Sequence, residues 1–189
     1  MEVDSNILQG LKFLRLKKGY HIKPFDCEDN DLNEFLFEKA IPHRKEMLAT
    51  TFLIENKERT LGYYSLLSDS FRVEETLFTS KNQYNKFKKI LPHPKRYLKS
   101  IPSVKIGRLA IDKSFKGKGL GRIIIDTIIN YCIELNEDQA CRLVTVDAYT
   151  QAVSFYQKIG FEFLSNLDEG EATRLMFLDL ATFIDDNRI

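Results

Sequence analysis

Residues 114–125 read SFKGKGLGRIII: three glycines and three cations crowd into the first nine positions, and an apolar run follows at once. Alternating glycine weakens both helix and strand, and so does the crowding of Lys116, Lys118 and Arg122. On one side lies SVKIGRLAID (Ser103 to Asp112), which reads as a strand with Ile106, Leu109 and Ile111 among its apolar positions. On the other side LGRIIIDTIINYCIEL reads as a strongly apolar helix from about Gly121 to Leu135. A strand running through glycines into a helix leaves the first helical N–H groups without intrahelical partners, and the helix dipole adds partial positive charge there. Glycine lets an anion approach the backbone closely and tolerates positive φ. The stretch is therefore a candidate cradle for a phosphate or diphosphate. The plainer alternative is a tight strand-to-helix connection with incidental lysines.

Outward from the loop the chain alternates strands and helices. YHIKPF (Tyr20 to Phe25) reads as a short strand stopped by Pro24. DCEDNDLNEFLFEKAI offers Asp29 or Asn30 as an N-cap, with Leu32, Phe35, Leu36 and Ala40 following at helical spacing. ATTFLIEN and TLGYYSLLSDSFRV are β-branched and aromatic runs joined by the polar stretch Asn56 to Arg59, a hairpin. From Glu74 to Ser100 the chain is lysine-rich and punctuated by Pro92 and Pro94, an insertion with one short helix around Tyr84 to Ile90. After the apolar helix, CRLVTVDAY reads as a strand and TQAVSFYQKIGF as a short helix ended by Gly160. FEFLSN and TRLMFLDL read as two final strands. The class is α/β or α+β with a mixed central sheet, in one domain over residues 1–189 with a basic insertion at about 74–100.

Composition narrows the function. Of 189 residues, 43% are apolar and 29% charged, as in soluble globular chains, and no apolar run approaches the ~20 residues of a membrane span. The start, MEVDSNILQGLKF, lacks a signal-type apolar core, so a cytoplasmic protein without a membrane partner is expected. Cys27, Cys132 and Cys141 are odd in number without C-x-x-C spacing, and read as reduced thiols. His21, His43 and His93 are scattered, so no metal site is expected. The net charge of +1 conceals a lopsided layout: Lys81 to Arg122 hold thirteen Lys/Arg against Asp112 alone, +12, leaving −11 for the rest. An anionic partner on that side is one reading, and a solvated lysine-rich loop and helix is the other.

Three anion cradles compete for the loop. A Walker A loop needs Ser or Thr after its lysine, where Gly119 follows Lys118. A dinucleotide fingerprint, G-x-G-x-x-G, is one residue longer than the spacing of Gly117, Gly119 and Gly121. The run Lys116-Gly117-Lys118-Gly119-Leu120-Gly121 fits the [RQ]-x-x-G-x-[GA] acyl-CoA loop of the GNAT N-acetyltransferases, with lysine in first place. GRLAIDKSFKGKGLGRIII resembles the strand–loop–helix of that family along its whole length. Downstream, DAYTQAVSFYQKIGF resembles its A-x-x-F-Y-x-K-x-G-F hallmark at Ala152, Phe155, Tyr156, Lys158, Gly160 and Phe161. The resemblance covers roughly Tyr20 to Leu180.

The resemblance implies a GNAT fold, a mixed, mostly antiparallel central sheet splayed into a V at the acyl-CoA site by a bulge near Arg108 to Ala110 and flanked by helices. It implies acetyl-CoA as cosubstrate, with Leu109, Ala110 and Ile111 at the pantetheine arm and Lys116, Gly117, Lys118, Gly119, Leu120, Gly121 and Arg122 at the diphosphate. A primary amine would attack the acetyl thioester directly, and Tyr156 would protonate the departing thiolate; the alternative for Tyr156 is a packed aromatic without a proton role. Glu55, Glu58 or a water chain stays open as general base. Tyr149 stands where many members place a cofactor-touching asparagine. The block FDC…D-LN-FL (Phe25, Asp26, Cys27, Asp31, Leu32, Asn33, Phe35, Leu36), with ATTFLIE and LGYYSLLSDS, resembles the GNAT toxins of toxin–antitoxin modules. That implies the α-amine of aminoacyl-tRNA as acceptor, an antitoxin protein as partner and a homodimer as assembly. The alternatives are a GNAT acting on a small-molecule or protein amine, and a CoA- or RNA-binding module without catalysis.

Overall fold

The computed structural model describes residues 10–89 and 100–184. Its strands are β1 (Lys12–Arg15), β2 (Thr50–Glu55), β3 (Thr60–Arg72), β4 (Ser100–Ile111), β5 (Leu143–Tyr149), β6 (Glu162–Phe163) and β7 (Thr173–Asp179). They form one sheet in the order β1-β2-β3-β4-β5-β7-β6. The helices are α1 (Asn30–Glu34), α2 (Ala40–Lys45), α3 (Lys81–Lys88), α4 (Leu120–Leu135) and α5 (Val153–Ile159). The chain divides into two compact units, Met1–Leu67 with Ile106–Ile128 and Ser68–Lys105 with Ile129–Ile189. None of the described helices is long and apolar enough to cross a membrane.

In the first unit β1 pairs antiparallel with β2, Lys12 opposite Glu55, and β2 pairs antiparallel with β3. The β2–β3 turn closes as expected: Asn56 N–H donates to Arg59 O at 3.1 Å, and Asn56 Oδ1 accepts from Arg59 N–H at 2.8 Å. The core joins Leu16, Phe25, Phe35, Leu36, Leu53, Tyr63 and Ala110. Tyr63 is fully buried between aromatic neighbours, and its hydroxyl donates to Leu32 O at 2.7 Å. That bond satisfies the polar end of a ring whose area stabilises the core.

Two expectations need correction here. Tyr20 to Phe25 is not a strand; the first strand is Lys12–Arg15. Pro24 cannot donate to a ladder, and the segment is tied instead by isolated bonds: Thr60 N–H to Pro24 O at 3.2 Å and Lys23 Nζ to Asn56 O at 2.6 Å. The first helix also runs past Ala40 to Lys45, through Pro42. Between α1 and α2 a π turn, Phe35–Lys39, sets Ala40 N–H onto Phe35 O. Pro42 then falls in the first turn of α2, where a missing N–H costs least. At the start of α1, Asp29 accepts from Leu32 N–H as the expected cap.

In the second unit β5 pairs antiparallel with β7, from Leu143 opposite Asp179 to Tyr149 opposite Thr173, and β6 lies on the other side of β7. The basic insertion carries a helix, α3, capped by Ser80. It is also part of a core: Phe78 and Phe87 are buried with Phe71, Ile101, Leu143, Leu164 and Phe177. Phe87 meets Phe177 edge-on at 5.2 Å. Lys81, Lys86 and Lys89 lie exposed on and just after the same helix. Pro92, Pro94 and the cations between residues 95 and 99 fall outside the described residues. Cys27, Cys132 and Cys141 are all free and buried.

Candidate active site

The glycine loop stands on a built base in the first unit. Strand β4 ends at Ile111, with Ala110 buried in the core and Leu109 and Ile111 half-buried. The next residue, Asp112, is fully buried. Its carboxylate accepts from Asp26 N–H at 3.1 Å, from Ser114 N–H at 3.0 Å and from the Ser114 hydroxyl, with Arg59 Nη1 at 3.4 Å. Burial pushes its pKa up, but the Ser114 and Asp26 hydrogen bonds and the Arg59 charge outweigh it and hold the carboxyl below its ordinary value. Asp112 also caps the 3₁₀ turn Lys113–Phe115, from which the loop departs.

Beyond that turn Gly117 has φ +75° and Gly119 φ +84°, conformations that a side chain at either position would strain. Gly119 O accepts from the N–H groups of Arg122 and Ile123, which starts α4. The N–H groups of Gly117, Gly119, Leu120 and Gly121 make no hydrogen bond among the described residues. A Cβ built on Gly117 would meet nothing within 4 Å. Open space and unpaired amides at a helix N-terminus suit a diphosphate. The cations around them are engaged. Lys116 Nζ donates to Cys27 O at 2.8 Å and to Glu28 Oε2 at 3.0 Å. Arg122 Nε meets Asp126 at 3.0 Å, and Lys118 Nζ lies 4.8 Å from the Phe115 ring centre. Exposed pairs of this sort are weak and exchange readily for a multivalent anion.

Tyr156 lies on α5 in the second unit, 5% exposed, its ring edge-on to Phe155 and Phe161. Burial alone pushes its phenol well above the ordinary value, and the hydroxyl makes no hydrogen bond among the described residues. It is a protonated donor with no protein partner among the described residues. Tyr149, at the end of β5, is 40% exposed. Of the two acids open as general base, Glu55 is buried and committed. It accepts from Tyr20 at 2.6 Å and Thr60 at 2.9 Å, and pairs with Lys23 at 3.2 Å. The Glu55 hydrogen bond, with burial and the Glu55 charge behind it, pushes the Tyr20 phenol up to about 12. Glu58 is exposed in the β2–β3 turn.

The residues that build the base of the loop escaped sequence reading. Asp112 appeared only as the lone acid of a basic segment, and Asp26 only as part of a block matched by resemblance. The available signal was Asp112-x-Ser114 directly after a strand, the spacing of an acid that caps a turn.

Residues 97–179 match the acetyltransferase (GNAT) domain. A tRNA-acetylating toxin of Mycobacterium tuberculosis is 22% identical over 149 residues, covering 78% of this chain and 82% of that protein. A tyrosine-to-phenylalanine mutant of KacT superimposes with a TM-score of 0.74 at 27% identity, over 92% of this chain and 97% of the other. AtaT complexed with acetyl-methionyl-tRNAfMet gives 0.71 at 26% identity, over 92% and 96%, and AtaTR bound with AcCoA 0.72 at 26%, over 93% and 96%. Residues 97–179 thus match a GNAT acetyltransferase domain, and the fold of the chain is similar to that of KacT and AtaT.

Proposed function

We propose that the chain transfers the acetyl group of acetyl-CoA to the α-amine of an aminoacyl-tRNA. The observation that carries this reading is the loop Lys116 to Gly121, where unpaired amides stand at the start of α4 and the space beside Gly117 is open. Those amides, with Lys116, Lys118 and Arg122, hold the diphosphate; Leu109, Ala110 and Ile111 of β4 receive the pantetheine arm. The amine nitrogen attacks the thioester carbonyl, the C–S bond breaks, and the buried Tyr156 phenol gives its proton to the leaving sulfur. An α-amine with a pKa near 8 is partly free at neutral pH, so the demand on a general base is modest. Glu55 is spent on Tyr20, Thr60 and Lys23, which leaves water or Glu58 for that role.

The acceptor reading draws on the tRNA-bound and tRNA-acetylating relatives and on the exposed Lys81, Lys86 and Lys89 of the insertion. None of these three makes an ion pair among the described residues, and phosphate contacts dominate affinity for nucleic acid. An antitoxin partner and a homodimer belong to the same reading. The deciding experiment incubates the protein with labelled acetyl-CoA and charged tRNA. Label should become acid-precipitable and be released by ribonuclease. Label on free polyamines or on protein, with none on tRNA, would replace this acceptor with a small-molecule or protein amine. Binding of acetyl-CoA without turnover on any amine would remove catalysis.

A further inference from the structure

The segment Asp26–Glu28 is bonded to both ends of the turn that launches the glycine loop, though 84 or more residues separate them in sequence. Asp26 joins Asp112 and Lys113 through three bonds: its N–H to Asp112 Oδ2 at 3.1 Å, its carbonyl from Lys113 N–H at 2.8 Å, and its Oδ2 from Lys113 Nζ at 2.8 Å. Its other carboxylate oxygen accepts from Asn33 Nδ2 at 3.0 Å and from Glu28 N–H at 2.9 Å. Asn33 Oδ1 in turn accepts from Cys27 N–H at 3.1 Å, so α1 supports the segment from behind. Glu28 adopts φ +65°, uncommon outside glycine, and so brings its carboxylate and the Cys27 carbonyl onto the same Lys116 ammonium.

The pattern is a clamp. Lys113 opens the 3₁₀ turn and Lys116 closes it, and both side chains are held by Asp26–Glu28. Past Lys116 the loop's internal support thins to one long bond, Lys118 N–H to Phe115 O at 3.4 Å. Fixed base and unpaired tip together present amides in a set geometry, without the entropy cost of ordering them when a ligand arrives.

We propose that Asp26 is a positioning residue for the diphosphate of acetyl-CoA, acting through Lys113 and Asp112 on the loop Lys116 to Gly121. The proposal rests on the acetyl-CoA reading above and adds to it what the Phe25–Leu36 block does. Asp26 touches no reacting atom. It sets the exit angle of the loop, and Glu28 holds Lys116 beside the base of the loop until the diphosphate takes it. Its removal weakens whatever binds through the diphosphate and spares the thioester end.

The test compares two ligands on the full chain by calorimetry, acetyl-CoA and S-acetylpantetheine, which lacks the nucleotide and diphosphate. Asp26→Ala should weaken acetyl-CoA about tenfold while leaving S-acetylpantetheine within about twofold. KM for acetyl-CoA should rise with kcat at saturation retained. Lys113→Met should reproduce the effect, the double variant should be no worse than either single one, and Lys113→Arg should restore wild-type affinity. Asp26→Asn keeps Oδ1 as the acceptor for Asn33 and Glu28 but sets an amide NH2 in place of the oxygen facing Lys113, losing that hydrogen bond with its charge. It should cost about threefold, and it covers the case in which the alanine variant does not fold. Equal losses for both ligands, additive single variants, or unchanged acetyl-CoA affinity would overturn the clamp. Wild-type protein that binds no acetyl-CoA would instead overturn the acetyl-CoA reading, and the clamp with it.

Discussion

Replacing Asp112 with alanine tests the base of the loop most directly. The change removes one buried carboxylate and strands the N–H groups of Asp26 and Ser114. The Ser114 hydroxyl can rotate, and Arg59, whose side chain is 35% exposed, can turn to water, so neither counts fully. The two orphaned donors, both from part-buried bonds, cost about 1–2 kcal/mol each, about 3 kcal/mol together. For a chain of this length that is a fall of about 6–12 °C in Tm. Asp112→Asn keeps an oxygen toward Ser114 but sets an amide against Asp26 N–H, and should lose about half as much. The pH dependence has a definite sign. The Asp112 carboxyl is held below its ordinary value, so its stabilisation is complete above the unfolded-state pKa near 4 and is lost as pH falls through the folded-state value. Thermal melts of wild type and Asp112→Ala from pH 7 down to 3 should therefore converge at the acid end. A loss under about 1 kcal/mol, or a gap indifferent to pH, would refute the account of Asp112 as a satisfied buried anion.

Tyr156→Phe should lower kcat about tenfold or more with acetyl-CoA affinity nearly unchanged, because no hydrogen bond is lost among the described residues; a wild-type kcat would take the phenol out of the mechanism. Burial raises the Tyr156 pKa, so above the unfolded-state value near 10 folding should weaken by about 1.4 kcal/mol per pH unit, and alkaline melts should find that slope flattened in the phenylalanine variant. Gly160 closes α5 at φ +107°, and Gly160→Ala should cost about 1 kcal/mol in denaturant melts, since its Cβ has room 3.5 Å from Leu178 and only the backbone is strained. Reversing Lys81, Lys86 and Lys89 to glutamate should raise KM for charged tRNA and flatten its salt dependence while acetyl-CoA affinity holds, as paired kinetics at two salt concentrations would reveal.

The loop was legible because its signals are local. Three glycines between a β-branched strand and an apolar helix fix strand, turn and helix within twenty-odd residues, and the structure has all three where the sequence put them. What stayed hidden depends on distance or on competing signals. Asp26 and Asp112 meet across 86 positions, and no periodicity in either neighbourhood announces it. Beyond Ala40 the helical segment continues to Lys45, because the π turn before it sets Pro42 in a first turn. In the insertion, lysines and prolines masked Phe78 and Phe87, which hold that segment on a core. Tyr20 to Phe25 reads as a strand in sequence, yet its ties are side-chain and single backbone bonds instead of a ladder. Tyr156 was named through resemblance, since one tyrosine on a seven-residue helix carries no chemical signature of its own.

The three cysteines bear on how this protein can be handled. Cys27, Cys132 and Cys141 are at most 5% exposed, and burial pushes the Cys27 thiol up, so maleimide dyes should find no native sulfur at neutral pH while the fold holds. Met47 is 93% exposed at the end of the α2 segment. A single Met47→Cys substitution would therefore give one fluorophore per chain on an otherwise wild-type background. Ligand docking or partner assembly could then be followed optically without first stripping the protein of its own thiols.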